Sequence, residues 1–117
     1  MIRDDLCLAL VNLLTYIYRN GSELMKETMK KILEFRDERG WKPYHTPENL
    51  AKSISIEAAE LLECFQWNHE FDPIHVNEEL ADVLIYCLQM VDVLGVDAKQ
   101  IIFEKLEKNA VKYPVQK

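Results

Sequence analysis

The chain has 117 residues, 49% of them hydrophobic, with only three glycines and four prolines, which favours one domain of long helices over many short strands. Its formal net charge of −6 argues against a nucleic-acid-binding module, which would carry a basic stripe, but not against a nucleotide whose charge a metal offsets. Cys7, Cys64 and Cys87 lie far apart in apolar runs, with no zinc spacing and no disulfide framework, so they read as reduced thiols of a cytoplasmic protein.

In chain order, five helices are expected. The first runs from about Asp5 to Arg19 and stops at Asn20-Gly21, a C-terminal stop signal. Its apolar stretch is shorter than the roughly 20 residues a membrane span needs. Asp4 and Asp5 sit where a secretory signal would be basic. Residues 1–21 thus read as an extra N-terminal helix of a single domain covering 1–117. The second helix starts at Ser22 and ends at Arg39-Gly40. A loop from Gly40 to Thr46 carries Trp41, Pro43, Tyr44 and His45. Thr46 then caps a third helix with Pro47 at its first position. That helix runs to about Asn68, with Leu50, Ile54, Ala58, Leu61, Leu62 and Phe65 as its core-facing stripe. After a loop containing Asp72-Pro73, Asn77 caps a fourth helix that reaches Gly95. Asp97 caps a fifth, which reaches about Lys112 before Tyr113-Pro114.

The acids carry the main signal. Lys and Arg are absent between Lys52 and Lys99, whereas that interval holds Glu57, Glu60, Glu79 and Asp82 among other acids. Asp82 lies in LADVLIYCLQMV, a segment apolar nearly all round and so expected to be buried. An ionised carboxylate there is costly without compensation, and Glu79, three residues back, repels it. Glu57 and Glu60 repeat the arrangement on the third helix, beside its apolar stripe. If the two helices pack antiparallel, four carboxylates converge. Such hard oxygen donors suit Mg²⁺ or Mn²⁺ rather than zinc. The alternatives are a solvated acidic face, or neutralisation by Lys and Arg from other helices.

Trp41 and Trp67 flank the third helix and are candidates to stack on a planar base; packing is the alternative use for both. Tyr86, four residues beyond Asp82, either faces the acids or fills the core. Lys105, Asn109 and Lys112 share one face of the fifth helix, where Lys can meet phosphate as a point charge. Of the histidines, only His45, beside Trp41, is expected to matter. There is no Gly-rich phosphate loop and no nucleophile elbow, and Ser53 and Ser55 have no motif around them.

Three segments, FRDERGWKPYHTPENLAKSISIEAAELLECFQW, NEELADVLIY and EKLEKNAVKYP, resemble the MazG-like all-α nucleoside triphosphate pyrophosphatases, and within them the dCTP pyrophosphatase branch. The resemblance covers roughly Ile32 to Val115. It implies hydrolysis of a (d)NTP between its α and β phosphates to a monophosphate and pyrophosphate, in nucleotide-pool housekeeping. It implies Glu57, Glu60, Glu79 and Asp82 as Mg²⁺ ligands. A mechanism through a metal-activated water would also use one acid, Glu57 or Glu60, to accept the water's proton. Trp41, Trp67 and Tyr86 would line the nucleotide pocket, with His45 and Asn49 near it. Lys105, Asn109 and Tyr113 would meet phosphates or sugar, from a neighbouring subunit where the assembly places them. It further implies homodimers or homotetramers in which helices pair into four-helix bundles, with no nucleic acid and no membrane as partner. Ile32 stands where the eukaryotic branch has a base-contacting histidine, and the loop between Trp67 and Glu79 is shorter than in that branch. The reading from another class is a helical oligomer that binds nucleotide or metal as a regulator, without turnover.

Overall fold

A computed structural model describes residues 2–67 and 70–116, with side chains described for all of these except 2, 3 and 17–24. Among the described residues all regular structure is helical: α1 (Ile2–Glu38), a 3₁₀ turn (Lys42–Tyr44), α2 (Pro47–Glu63), α3 (Pro73–Leu94) and α4 (Ala98–Lys112). None of these helices is long and apolar enough to cross a membrane. The chain divides into two compact units, Met1–Arg39 and Gly40–Lys117.

The first unit is one helix, not two. The stop expected at Asn20-Gly21 does not occur, and residues 1–21 do not form a separate element, because the backbone stays helical through Asn20, Gly21 and Ser22. A glycine inside a helix costs only about 1 kcal/mol relative to Ala. No proline follows it, and strong helix formers resume at once. Exposed ion pairs between Lys31 and Glu27 (3.4 Å) and between Lys30 and Glu34 (3.8 Å) brace the later turns. The helix ends where Arg39 Nη1 donates to the Phe35 carbonyl (3.0 Å). Gly40 then takes a φ of +65°, the left-handed conformation that favours glycine.

The second unit is built on α2 and α3, which pack against each other. The Thr46 hydroxyl accepts from the Asn49 N–H (3.2 Å) and Pro47 occupies the first turn, as expected for this cap. α2 stops at Glu63, short of Asn68, which lies outside the described residues. Its last turn tightens to bonds from the Cys64, Phe65 and Gln66 N–H groups to the carbonyls of Leu61, Leu62 and Glu63. The chain then reverses, with Phe65 edge-on to Phe71 at 5.1 Å. α3 begins at Pro73, four positions before the Asn77 cap expected from sequence. Asp72 is the cap, its Oδ1 accepting from the Ile74 N–H (3.0 Å). Asp followed by Pro supplies the cap and the preset first residue together. At the far end Gly95, with φ +65°, donates to the Asp92 carbonyl (3.0 Å) and Val96 to that of Val91 (3.2 Å), a Schellman closure. Asp97 caps α4 as expected, accepting from the Gln100 N–H (2.9 Å).

Burial departs from the expectation for the fourth helix, which predicted a mostly buried segment from Leu80 to Leu94. In the single chain Leu80, Leu84, Ile85, Val93 and Leu94 are exposed, and Leu50 is the one apolar side chain described as buried. Gln89 is the one α3 residue described as buried, and the rest of the helix is half-buried or exposed.

Candidate functional site

The α2–α3 seam follows from spacing. Leu50, Ser53, Glu57, Glu60 and Cys64 recur at alternating steps of three and four residues along α2, and Glu79, Asp82, Tyr86, Gln89 and Val93 do so along α3. That period keeps one face of each helix toward its partner. The two helices run antiparallel, since Glu60 meets Glu79 while Ser53 meets Tyr86. From one end, the seam therefore reads Cys64 and Glu60 against Glu79, Glu57 against Asp82, and Ser53 against Tyr86. It ends at the level of Leu50 and Gln89, the one buried residue of each helix. A coiled-coil seam is ordinarily apolar. Here its middle is acidic.

Carboxylate oxygens of Glu57, Glu79 and Asp82 lie within 4.8 Å of one another. Glu60 is in hydrogen-bonding reach of both Glu57 and Glu79. Burial, then the shared hydrogen bond and the charge of Glu60, then Asp82 and Glu79, push the Glu57 carboxyl from its usual 4.5 to about 7. Burial and Glu60 likewise raise Glu79, against an opposing pull from His75. Among the described residues none of these acids is paired with Lys or Arg, and the ion pair that reaches the cluster is His75 Nδ1 to Glu79 Oε1 at 3.8 Å. Glu57 Oε2 and Glu79 Oε2 are buried without hydrogen-bond partners. An unmade hydrogen bond at a charged group costs more than the roughly 1–3 kcal/mol of a neutral one. Acid oxygens gathered from two helices and lacking protein cations form a donor set for a hard divalent cation. The same acids, after burial, hold the Tyr86 hydroxyl above its ordinary range, opposed by its hydrogen bond with Ser53. Tyr86 thus faces the cluster rather than only filling the core. Burial and the charge of Glu79 raise the Cys64 thiol.

Beyond Tyr86 lies an aromatic group from the 3₁₀ loop. The His45 ring is 6.2 Å from the Tyr86 ring and 6.2 Å from that of Trp41. Asn49 Nδ2 donates to the Tyr44 carbonyl (2.9 Å), so in this chain Asn49 holds the loop that carries Trp41 and His45. The other residues singled out from sequence are not drawn into this group. Trp67 is 84% exposed and makes no ring contact among the described residues. Lys105 and Asn109 line a shallow apolar groove on α4 with Ile101, Ile102 and Leu106. Tyr113 is exposed beyond them, with Lys112 Nζ 5.3 Å from its ring centroid. Three residues of the seam escaped sequence reasoning. Ser53 and Gln89 carry no motif, but both fall on the heptad stripe. His75 was legible as the i−4 neighbour of Glu79.

Residues 52–117 match the MazG-like family. The chain belongs to the MazG-like family. The MazG-like match contains all four acids of the cluster and the whole of α3 and α4. Similar proteins include mouse dCTP pyrophosphatase 1, 33% identical over an alignment of 109 positions that covers 84% of this chain and 64% of the mouse protein. Human dCTP pyrophosphatase 1 is 34% identical over an alignment of 91 positions that covers 69% of this chain and 54% of the human protein. The chain thus spans less than two thirds of the length of these relatives. A crystal structure of a pyrophosphatase from Archaeoglobus fulgidus is 49% identical, covers 78% of this chain and 93% of its own, and superposes with a TM-score of 0.70.

Proposed function

We propose that this chain is a divalent-metal-dependent nucleoside triphosphate pyrophosphohydrolase that releases pyrophosphate from a dCTP-like or non-standard dNTP in the cytoplasmic nucleotide pool. The observation that carries this reading is the set of oxygens from Glu57, Glu79 and Asp82 within 4.8 Å, with no Lys or Arg paired to them among the described residues. The similar proteins named as dCTP pyrophosphatases and as a pyrophosphatase support it.

Glu57, Glu79 and Asp82 would hold the ion, with Glu60 joining them or bridging to them. When held there, Mg²⁺, or Mn²⁺ in its place, would supply positive charge to the triphosphate and make a water easier to deprotonate. The protein's own contributions are distinct. Glu57 or Glu60 takes up the proton that the attacking water loses. Tyr86, tied to Ser53, stands between the acids and the aromatic group, where a sugar joins phosphate to base. Trp41 and His45 hold the base by stacking, and Asn49 keeps their loop in place. Trp67 also lines the nucleotide pocket, and Lys105 and Asn109 on α4, with Tyr113 just past its end, serve phosphates or sugar from a neighbouring copy in a homodimer or homotetramer.

The test is pyrophosphate release from a panel of dNTPs with and without Mg²⁺. Turnover of at least one triphosphate is expected, abolished by EDTA. Glu60→Gln and Asp82→Asn should each lower kcat/KM on the order of 100-fold, the scale at which loss of one charge-stabilising group registers. Nucleotide binding by calorimetry without turnover would replace this reading with the regulatory one.

A further inference from the structure

Past Tyr86 the seam has one more level, and it presents a polar atom with nothing to bond. Gln89 is 5% exposed, and its Oε1 is buried without a hydrogen-bond partner. An apolar side chain at this position would leave no such defect, and the matching level on α2 is occupied by the fully buried Leu50. A buried amide oxygen left unpaired destabilises the fold, which points to a partner that arrives from outside. The same end of the seam holds a second such atom. His45 Nδ1 is also buried and unpartnered, on a ring 6.2 Å from that of Tyr86. Gln89 follows Tyr86 by three residues, about 4.5 Å along the helix.

The seam is therefore graded along its length. Carboxylates occupy one part, a tyrosine hydroxyl comes next, and aromatic rings with unsatisfied polar atoms occupy the other end. A molecule with a metal-bound anionic chain and a flat heterocycle matches that order, its ring edge meeting the orphaned atoms. We propose that Gln89 reads the substrate base, its amide oxygen accepting a hydrogen bond from an exocyclic amino group such as that of cytosine. This rests on the pyrophosphohydrolase reading above. It adds a specificity-determining residue on α3, one turn beyond Tyr86, where a polar group in a site discriminates more strongly than an apolar wall does.

The experiment compares dCTP with dUTP, which differ at ring position 4, using the full chain with Mg²⁺. Steady-state kcat and KM are measured for wild type, Gln89→Leu and, as a second and unbranched replacement, Gln89→Met. Melting curves identify the folded variants. In a folded variant the dCTP-to-dUTP ratio of kcat/KM should fall at least tenfold, mainly through the KM for dCTP. The kcat for dUTP should stay within twofold. A glutamine that merely shaped the helix seam would move both substrates together. A ratio unchanged within twofold or raised, or a wild type that does not prefer dCTP to dUTP, overturns the assignment while leaving the hydrolase reading intact. A wild type that releases no pyrophosphate from any triphosphate removes the hydrolase reading and takes this assignment with it.

Discussion

Glu57 is the residue on which the chemistry of the cluster is most visible. Its carboxyl stands at about 7 in the fold against an ordinary 4.5. A carboxyl raised in this way binds its proton more tightly in the folded chain than in the unfolded one. Its stabilising effect is complete below about 4.5 and is lost as the pH climbs through about 7. The metal-free protein should therefore melt at progressively lower temperature across that window. Glu57→Gln, a neutral amide at every pH, should flatten the slope. A divalent cation acts in the opposite sense, favouring the deprotonated acids, so adding Mg²⁺ should raise the melting temperature more at pH 8 than at pH 6. Superimposable wild-type and Glu57→Gln melting profiles over pH, without metal, would show that Glu57 does not hold its proton more tightly in the fold. These acids were legible in the sequence because like charges on apolar helices need an external partner. Gln89 was not, because a lone glutamine among Leu, Met and Val looks like any surface position until burial is known.

At the scale of elements, boundaries were lost where two signals competed. Both Asp72-Pro73 and Asn77 offer a start for α3, and the structure uses Asp72, whose Oδ1 accepts from the Ile74 N–H. Asp72→Ala should thus cost about 1 kcal/mol, the usual value of an N-cap. Asn77→Ala, within the helix, should be neutral or slightly stabilising, since Ala has the higher helix propensity. Urea denaturation of the two variants, or of nucleotide-free protein by heat, separates them. A larger loss from Asn77→Ala would return the cap to the position expected from sequence. The break expected at Asn20-Gly21 failed for a related reason. A glycine signals a helix end only when the chain turns left-handed there, as it does at Gly40 and Gly95, and nothing after Gly21 demands that turn. Thr46-Pro47 and Asp97 had no competitor, and both caps fall where the residues alone put them.

At the scale of the molecule, the unit Gly40–Lys117 leaves much apolar surface uncovered. Leu84 on α3 is 53% exposed, and Ile102, Phe103 and Leu106 on α4 are each more than half exposed. Leu50 is the one apolar residue described as buried. Small domains with thin cores gain the missing burial by association, and apolar patches of this extent on a helix surface mark contact sites. The thin core among the described residues departs from the expectation that the fourth helix is buried throughout. Its apolar character was legible, whereas its exposure in the single chain was not, because hydrophobic pattern does not distinguish an internal neighbour from a second copy. Sedimentation should accordingly find the wild type as a dimer or tetramer at micromolar concentration. Leu84→Glu or Leu106→Glu should shift it toward monomer and lower its melting temperature, which in the wild type should rise with protein concentration. Loss of activity in these variants, with Mg²⁺ still raising their melting temperature, would separate the two requirements of the site. The acids would be complete within one chain, and the groups on α4 would reach the substrate only across an interface. A fully active wild-type monomer would instead require α4 to meet the seam of its own chain.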